Sequence, residues 1–505
     1  MSPAMTPRHT HLSIVLGLAA LGLSACAVGP DFQRPKPDAP AAWSAPSSER
    51  ADSKTDPNAK AETAWWSSFG DPELTALVGR AAAANLDLKE SAARIAEARA
   101  QREAAAAQGL PSVNGNGSWT GTQFSTTTTQ GRLFNQFDKI SGVAPVTGLS
   151  FPNPYGQYQL GFDASWEIDL FGHVRRNVEA ARASEEAAAW DERGAQVSLF
   201  GEVARAYVDL RGAQVRRVVT TANISTLKDL LELSRQRRQA GLSSDIDVSR
   251  ASAEVSAAEA ALPQIDRQIL ADINQLSRLL NLPPGALGAE LRAPQRPPPV
   301  PPDVPVGLPS DLARRRPDIL GAEARLHAAV AQQGVAIAEL YPKVTLTGSG
   351  GVQSENLTHL LDWASRFGMI EPEVQVPIFD AGRRKANVRL QDARAHEAAL
   401  DYAKTVLDAL HEVDDAMTAY DAEQVRRTSL AATVEQNRTA MDLAMDRYKS
   451  GVGDYLSVLD AERTEEQNQL QLADSTAAVT TDLVALYKAL GGGWDAAPAA
   501  PKPGS

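Results

Sequence analysis

The chain of 505 residues has a single cysteine, Cys26, so no intrachain disulfide is expected and stability must come from packing or assembly. It has no excess of positive charge. Its 50 lysines and arginines face 62 acidic residues, and the net charge of −12 argues against a nucleic-acid partner. The seven histidines are scattered, so neither a metal site nor a cofactor is expected. Beyond the first 25 residues no apolar run is long enough for a transmembrane helix, which leaves a lipid-anchored body or a membrane β-barrel open.

Cys26 closes a short run of small residues behind a cationic start and the uncharged stretch 12–23. This is the layout of a secretory signal, and cleavage before a cysteine resembles the lipobox of bacterial lipoproteins. Several acyl chains on that residue would hold the protein permanently on a membrane. The alternative is an ordinary signal peptide with an incidental cysteine. Because Ala27 follows where inner-membrane lipoproteins usually carry aspartate, the pattern predicts lipidation of Cys26 at the outer membrane of a Gram-negative cell, with the body in the periplasm.

Two parts of the chain match each other in order, with an offset that drifts as loops of different length require. The matched positions are Gly241 with Gly451 and Leu280 with Leu490 at a shift of 210, Pro111 with Pro342 at 231, and Phe171 with Phe379 and Arg175 with Arg383 at 208. One supersecondary unit used twice is the economical explanation.

The repeat and the local composition predict the boundaries along the chain. The predicted segments are a signal peptide (1–25), a lipidated tether and periplasmic segment (26–80), a first repeat (81–290), a proline-rich linker (291–316), a second repeat (317–490) and a disordered tail (491–505).

Residues 177–239 are rich in Ala, Glu, Arg and Leu and contain no proline, and their apolar residues recur three and four apart. This spacing is typical of a coiled coil. A helix of about sixty residues is roughly 90 Å long, more than an ordinary globular core needs. By pattern alone, an elongated helical bundle and the wall of a tunnel are equally good interpretations.

Apolar and polar residues alternate strictly from Tyr158, which indicates a strand between lipid and water. Strands of this kind are predicted at about 113–122, 158–170, 344–352 and 370–379. The alternative is a small soluble sheet packed on helices. Because an open sheet edge is not tolerated in lipid, four spanning strands require an oligomer. Two chains would give eight strands and three would give twelve, and a barrel of about eight would be filled by its own side chains.

Several motifs together resemble the outer-membrane efflux channels, the TolC-like family, in its lipoprotein branch. They are CAVGPDF at 26–32, WW at 65–66, FGDPEL at 69–74, GLPSDL at 307–312, RRPDI at 315–319, FDAGR at 379–383, RY at 447–448 and YLSVLDA at 455–461. The resemblance implies a mainly α fold of two tandem repeats with a membrane β-barrel sector. Long coiled-coil helices would form a trimeric α-barrel, and four strands per protomer would form a twelve-stranded barrel.

The same resemblance implies a homotrimeric, passive and gated exit duct for small molecules, supplied by an inner-membrane pump through a periplasmic adaptor. By position, Leu456 and Asp460 match the constriction residues of the family, and Tyr448 matches a tyrosine whose interhelical contacts hold the gate shut. The turns at Gly241 and Gly451 are the implied adaptor docking sites. Three copies of Asp460 would form an acidic ring and three of Leu456 an apolar plug. Without the resemblance, Asp460 is equally well interpreted as a solvated helix carboxylate.

Two other functions compete with a channel. The acid pairs Asp414 with Asp415 and Asp245 with Asp247 suggest acid/base or metal chemistry, but the chain lacks a glycine-rich phosphate loop after a strand. We therefore interpret these acids as solvated or ion-paired and predict no enzyme. A non-conducting structural lipoprotein of the envelope is the remaining alternative. It accounts for long helices but not for strands that alternate between lipid and water.

Overall fold

A computed structural model describes residues 27–36, 39–45, 54–56, 63–129, 131–132 and 154–494. The predicted signal peptide, Cys26 and the residues after 494 lie outside the described residues. The described strands are β1 (Lys54–Asp56), β2 (Ser112–Thr122), β3 (Tyr155–Ile168), β4 (Asp303–Pro305), β5 (Lys343–Ser354) and β6 (Arg366–Gln375). The described α-helices are α1 (Pro72–Ala84), α2 (Leu86–Ala107), α3 (His173–Gln239), α4 (Asp245–Leu279), α5 (Gly288–Leu291), α6 (Leu312–Arg315), α7 (Pro317–Ala338), α8 (Arg383–Lys449) and α9 (Tyr455–Ala489).

The tandem repeat is visible in the helix bounds. Helices α3 and α8 have 67 residues each, α4 and α9 have 35 each, and a shift of 210 superposes both pairs of bounds. The predicted pairing of Arg175 with Arg383 at a shift of 208 is therefore wrong, since α3 begins at His173 where α8 begins at Arg383. The reason is a difference in loop length. Four residues (169–172) separate β3 from α3, whereas seven (376–382) separate β6 from α8.

Local chemistry sets the ends of the long helices. Gly241 and Gly451 follow α3 and α8 with φ angles of 74° and 82°, a left-handed conformation that ends a helix at little cost only for glycine. Ser244 begins α4 with a capping box, in which its side chain accepts from the backbone NH of Asp247. Asp454 is the N-cap of α9, and its side chain accepts from the backbone NH of Ser457. These signals fold each long helix back on a shorter one.

Contacts between Cα atoms divide the chain into two units. One comprises residues up to Gln33, Ala98–Glu185 and Leu326–Ala398, and the other comprises Arg34–Glu97, Glu186–Arg325 and Ala399 onward.

The first unit is built on an antiparallel sheet with the strand order β2-β3-β5-β6. Its members are the four strands expected from the sequence. The fourth differs in position, since β6 spans Arg366–Gln375 rather than 370–379. Gln375 lies opposite Lys343, where β5 itself begins, so β6 has no partner residue in β5 beyond Gln375. At the centre, Gly161 lies opposite Gly351, and a Cβ on Gly161 would stand 2.7 Å from the Gly350 carbonyl oxygen. Only glycine fits this close approach of two strands.

The N-terminal segment is also fixed within the first unit. The backbone NH of Val28 donates to the Phe171 carbonyl over 3.1 Å, just beyond the end of β3. Arg176, which is almost fully buried, donates to the Asp31 carboxylate over 2.6 Å. Gly29 has a φ of 96° and packs directly on Gly334. The residues after Cys26 are thus held at one end of the sheet.

The second unit encloses an aromatic and aliphatic core. Trp65 stacks on Tyr487 with ring centroids 5.2 Å apart, and Leu74 and Leu77 of α1 are fully buried. The two-stranded parallel sheet pairs β1 (Lys54–Asp56) with β4 (Asp303–Pro305), which belongs to the proline-rich linker.

The core of the second unit extends to the last described residue. Trp494 is 8% exposed, packs with Val197, Leu320 and Trp190, and donates from Nε1 to the Arg315 carbonyl. The prediction of a disordered tail from 491 is therefore wrong for residues 491–494, because a buried indole holds them in place.

None of the helices in the described ranges is both long enough and apolar enough to cross a membrane.

Candidate gate at the helical tips

Two helical hairpins, α3–α4 and α8–α9, end in equivalent turns at 240–244 and 450–454. Each turn places an aliphatic side chain after its glycine. Leu242 is 67% exposed and Val452 is 72% exposed. Both turns therefore present an apolar point on a polar surface.

In the first two turns of α9, the predicted gate residues and the core residues lie on different faces of the helix. Leu456 is 48% exposed and Asp460 is also exposed, and their spacing of four residues puts them on one face of the helix. A second face is buried, and its members are Tyr455, Val458, Leu459 and Glu462. Leu456 and Asp460 thus stand together, free of contacts that would bury them within the chain.

Tyr448 lies on the buried side of α8. Its ring meets Tyr455 of α9 edge-on, with centroids 5.9 Å apart, and the Arg237 guanidinium of α3 lies 4.5 Å above it. Arg237 also donates to the Tyr448 carbonyl over 2.6 Å. Tyr448 therefore links α3, α8 and α9 at the base of the tips.

Arg237 is missing from the residues predicted for the site. The one available signal was a pair of arginines directly before the turn at Gly241, where cations commonly interact with the last carbonyls of a helix.

Charges near the tips are mostly paired. The Arg463 guanidinium bonds to the Glu254 carboxylate of α4 and also feels the negative charge of Asp460. Hydrogen bonds from the Ser457 side chain and backbone lower the pKa of Asp454. Burial, and then the charge of Glu254, raise the pKa of Tyr455 to about 12, so this tyrosine stays neutral.

Three of the four acids considered for catalysis have structural partners. Asp414 accepts from the backbone NH groups of Ser44 and Ala45 over 2.9 and 2.8 Å, which pins the N-terminal segment. Asp247 belongs to the capping box of α4, and Asp245 pairs with Arg238. Across the described residues, no group of three or more His, Cys, Asp or Glu side chains could hold a metal ion.

An antiparallel sheet of membrane-type strands, combined with a repeated pair of long helical hairpins, defines a channel-forming class of envelope protein. The chain matches the model of the family described as "Outer membrane efflux protein" over residues 77–282 and 308–492, and it belongs to that family. The two matched segments correspond to the two repeats.

Known relatives match this chain over nearly its whole length. The outer membrane protein OprJ of Pseudomonas aeruginosa is 34% identical over 484 residues, 95% of each chain. The toluene efflux pump outer membrane protein TtgF of Pseudomonas putida is 31% identical and covers 96% of this chain and 97% of its own. The solved structure of the outer-membrane channel OprN matches with a TM-score of 0.83 and 34% identity, over 93% of this chain and 100% of that one. The chain is accordingly an outer-membrane efflux channel.

Proposed function

We propose that three copies of this chain assemble into a gated exit duct. The main support for this proposal is the sheet. Within the part of the chain that the structure describes, its outer strands β2 and β6 each pair with a neighbour on one side only. Unpaired strand edges are not stable in lipid, so each edge needs a neighbour. Three copies would supply twelve strands, four from each, and close a single barrel. The long helices of the three copies would then line the periplasmic part of the duct.

The gate of this duct is formed by Leu456 and Asp460 of each copy. Both lie on the exposed face of α9, where copies related by a threefold axis would bring them together at the axis. The leucines would form an apolar constriction, and the carboxylates a ring that attracts cations. Tyr448 supports the closed state by tying α8 to α3 through Arg237.

The duct receives its cargo from an inner-membrane pump through a periplasmic adaptor. The equivalent turns at Gly241 and Gly451 are the proposed docking points, because each exposes one aliphatic side chain at the end of a hairpin. Three copies would present six such points, two from each, which suits an adaptor that repeats around the duct.

Lipidation of Cys26 anchors each copy. The support is the position of the next residues, since Val28 is bonded to Phe171 at the end of membrane strand β3. Acyl chains on Cys26, two residues before Val28, would therefore start at the membrane interface. Replacing Cys26 by Ser should abolish incorporation of labelled palmitate, and retained label would contradict the anchor.

The gate is tested by reconstitution into planar bilayers. Asp460→Ala and Leu456→Ala should each raise the single-channel conductance or the open probability. The matched controls are Asp446→Ala and Leu443→Ala, which alter exposed residues of α8 and should leave both quantities unchanged. Unchanged currents in both gate variants would refute this gate. Complete absence of current from the purified trimer would instead favour the non-conducting structural lipoprotein.

A further inference from the structure

A carboxyl group is buried in the core of the hairpins beside the gate. Glu462 of α9 is 3% exposed and follows Tyr455, Val458 and Leu459 on the buried face of that helix. Tyr455, Val458 and Leu459 pack with apolar side chains of α3, α4 and α8, which include Leu227, Leu230, Ala251, Val255 and Met441. An acid at such a position is unusual, because burying its charge is costly unless a partner neutralises it.

Glu462 forms no ion pair within the described residues, although the charge of Arg463 lowers its pKa slightly. Its Oε1 makes no hydrogen bond within the described residues, and the same is true of the Tyr448 and Tyr455 hydroxyls in the adjoining core. Asn223 of α3 faces it and moderates its pKa, yet the amide nitrogen of Asn223 is also without a hydrogen bond of normal geometry. Polar atoms are thus left unpaired at a point where closed packing should satisfy them.

The charged neighbours make the ionised form still less favourable. Glu466, one turn along α9, and Glu254 of α4 are both acids. Arg463 is the nearby base on α9, but it is bonded to Glu254 and points to the exposed side. From α8, Arg438 and Asp442 act on Glu465. Burial, followed by the charge of Glu466, raises the pKa of Glu462 to about 7.

The sign of the pH effect follows from this raised pKa. Below the ordinary glutamate value of 4.5 the group is neutral whether packed or exposed, so burial carries no ionic penalty. As the pH rises through the interval between 4.5 and about 7, the exposed form ionises first and the packed form becomes progressively less favourable. Above about 7 the penalty is complete. Acid therefore favours the packed tips, and alkali favours their separation.

We propose that Glu462 is a proton-operated latch, which keeps α9 packed on α3 and α4 when neutral and releases it when ionised. This rests on the proposed channel function. Glu462 and the gate residue Asp460 are two positions apart on one rigid helix, on its buried and exposed faces. A shift of α9 that lets the Glu462 carboxylate reach water therefore moves Asp460 and Leu456 as well.

The test compares full-length wild type with Glu462→Gln in planar bilayers between about pH 6 and about pH 8. Over that range the ionised fraction of a group titrating near neutrality rises about tenfold. The open probability of the wild type should rise by a similar factor, while Glu462→Gln, with an isosteric neutral side chain, should stay low at both values. Glu435→Gln removes one charge from an exposed site on α8 and should follow the wild type.

Hydrogen exchange gives a second measurement that does not depend on conduction. After correction for the intrinsic rate, protection of the α9 amides around residue 462 should fall about tenfold across the same range in the wild type. It should be constant in Glu462→Gln and in Glu462→Leu. Wild-type currents that do not depend on pH, or an equal pH dependence in Glu462→Gln, would overturn the latch while leaving the channel intact. Absence of current in every variant would overturn both.

Discussion

Arg211 of α3 offers the sharpest test of how the second unit is held together. Its side chain is fully buried, and its guanidinium bonds to the Glu73 carboxylate over 2.5 Å and to Gln214 over 2.7 Å. It also donates to the Ala293 carbonyl at the start of the proline-rich linker over 3.1 Å and lies 4.7 Å from the Tyr207 ring centroid. One cation therefore joins α1, α3 and the linker.

Arg211→Met keeps most of the volume but leaves the partners of the guanidinium without a donor. Removing one member of a buried ion pair typically costs about 3–5 kcal/mol. At about 2.1 cal/mol/K per residue, unfolding of 505 residues as one unit has an entropy of about 1 kcal/mol/K. The expected fall in melting temperature is therefore about 3–5 °C, and larger if a smaller unit melts alone. The assay is thermal unfolding of the detergent-solubilised protein at fixed concentration.

Two further variants make this prediction refutable. Arg205→Met removes an exposed arginine that lies 3.8 Å from Asp209, and it should change stability by about 0–1 kcal/mol. The double variant Arg211→Met with Glu73→Leu should lose less unfolding free energy than the two single variants together, by about 0.5–3 kcal/mol. Two results would show that the buried pair does not stabilise this unit. One is an equal melting temperature for Arg211→Met and Arg205→Met. The other is a double variant whose loss of unfolding free energy equals the sum of the losses in the two single variants.

Three smaller predictions follow from single contacts. Trp494→Ala should destabilise the protein by about 3–5 kcal/mol through loss of a buried ring, measured by the same melting assay, and Trp494→Phe should recover part of the loss. Gly29→Ala would place a Cβ 2.7 Å from the Gly334 Cα at a φ that alanine avoids, so it should detach the N-terminal segment. Limited proteolysis near residue 29 should then be faster, and an unchanged rate would count against the contact. Asp71→Ala removes the N-cap of α1 and the acceptor of the Tyr207 hydroxyl, and should cost about 1–2 kcal/mol, seen as faster hydrogen exchange in α1.

The sequence carries those features of the fold that repeat along the chain. The alternation from Tyr158 and the spacing over 177–239 are local periodicities, so they predict strand and helix without knowledge of their neighbours. Paired residues in the two helical hairpins gave the offset of 210 between the repeats. The predicted pairing failed at Arg175 and Arg383, because a loop of different length lies between strand and helix there.

The remaining features depend on partners far apart in sequence. Arg211 meets Glu73 and Ala293 at separations of 138 and 82 residues, and no local pattern announces such contacts. Glu462 is an intermediate case. The apolar stripe through Tyr455, Val458 and Leu459 leads directly to it, so an acid at a core position was visible in the sequence. Near the C-terminus, a run of glycines favours disorder, whereas Trp494 directly after it indicates a buried position, and the prediction followed the glycines.

The place of Trp494 in the core makes the two repeats depend on each other. Its ring packs on Trp190 and Val197 of α3, in the first repeat, and on Leu320 of α7, in the second. Either repeat expressed alone would therefore lack one wall of this pocket and would expose its apolar side chains to water.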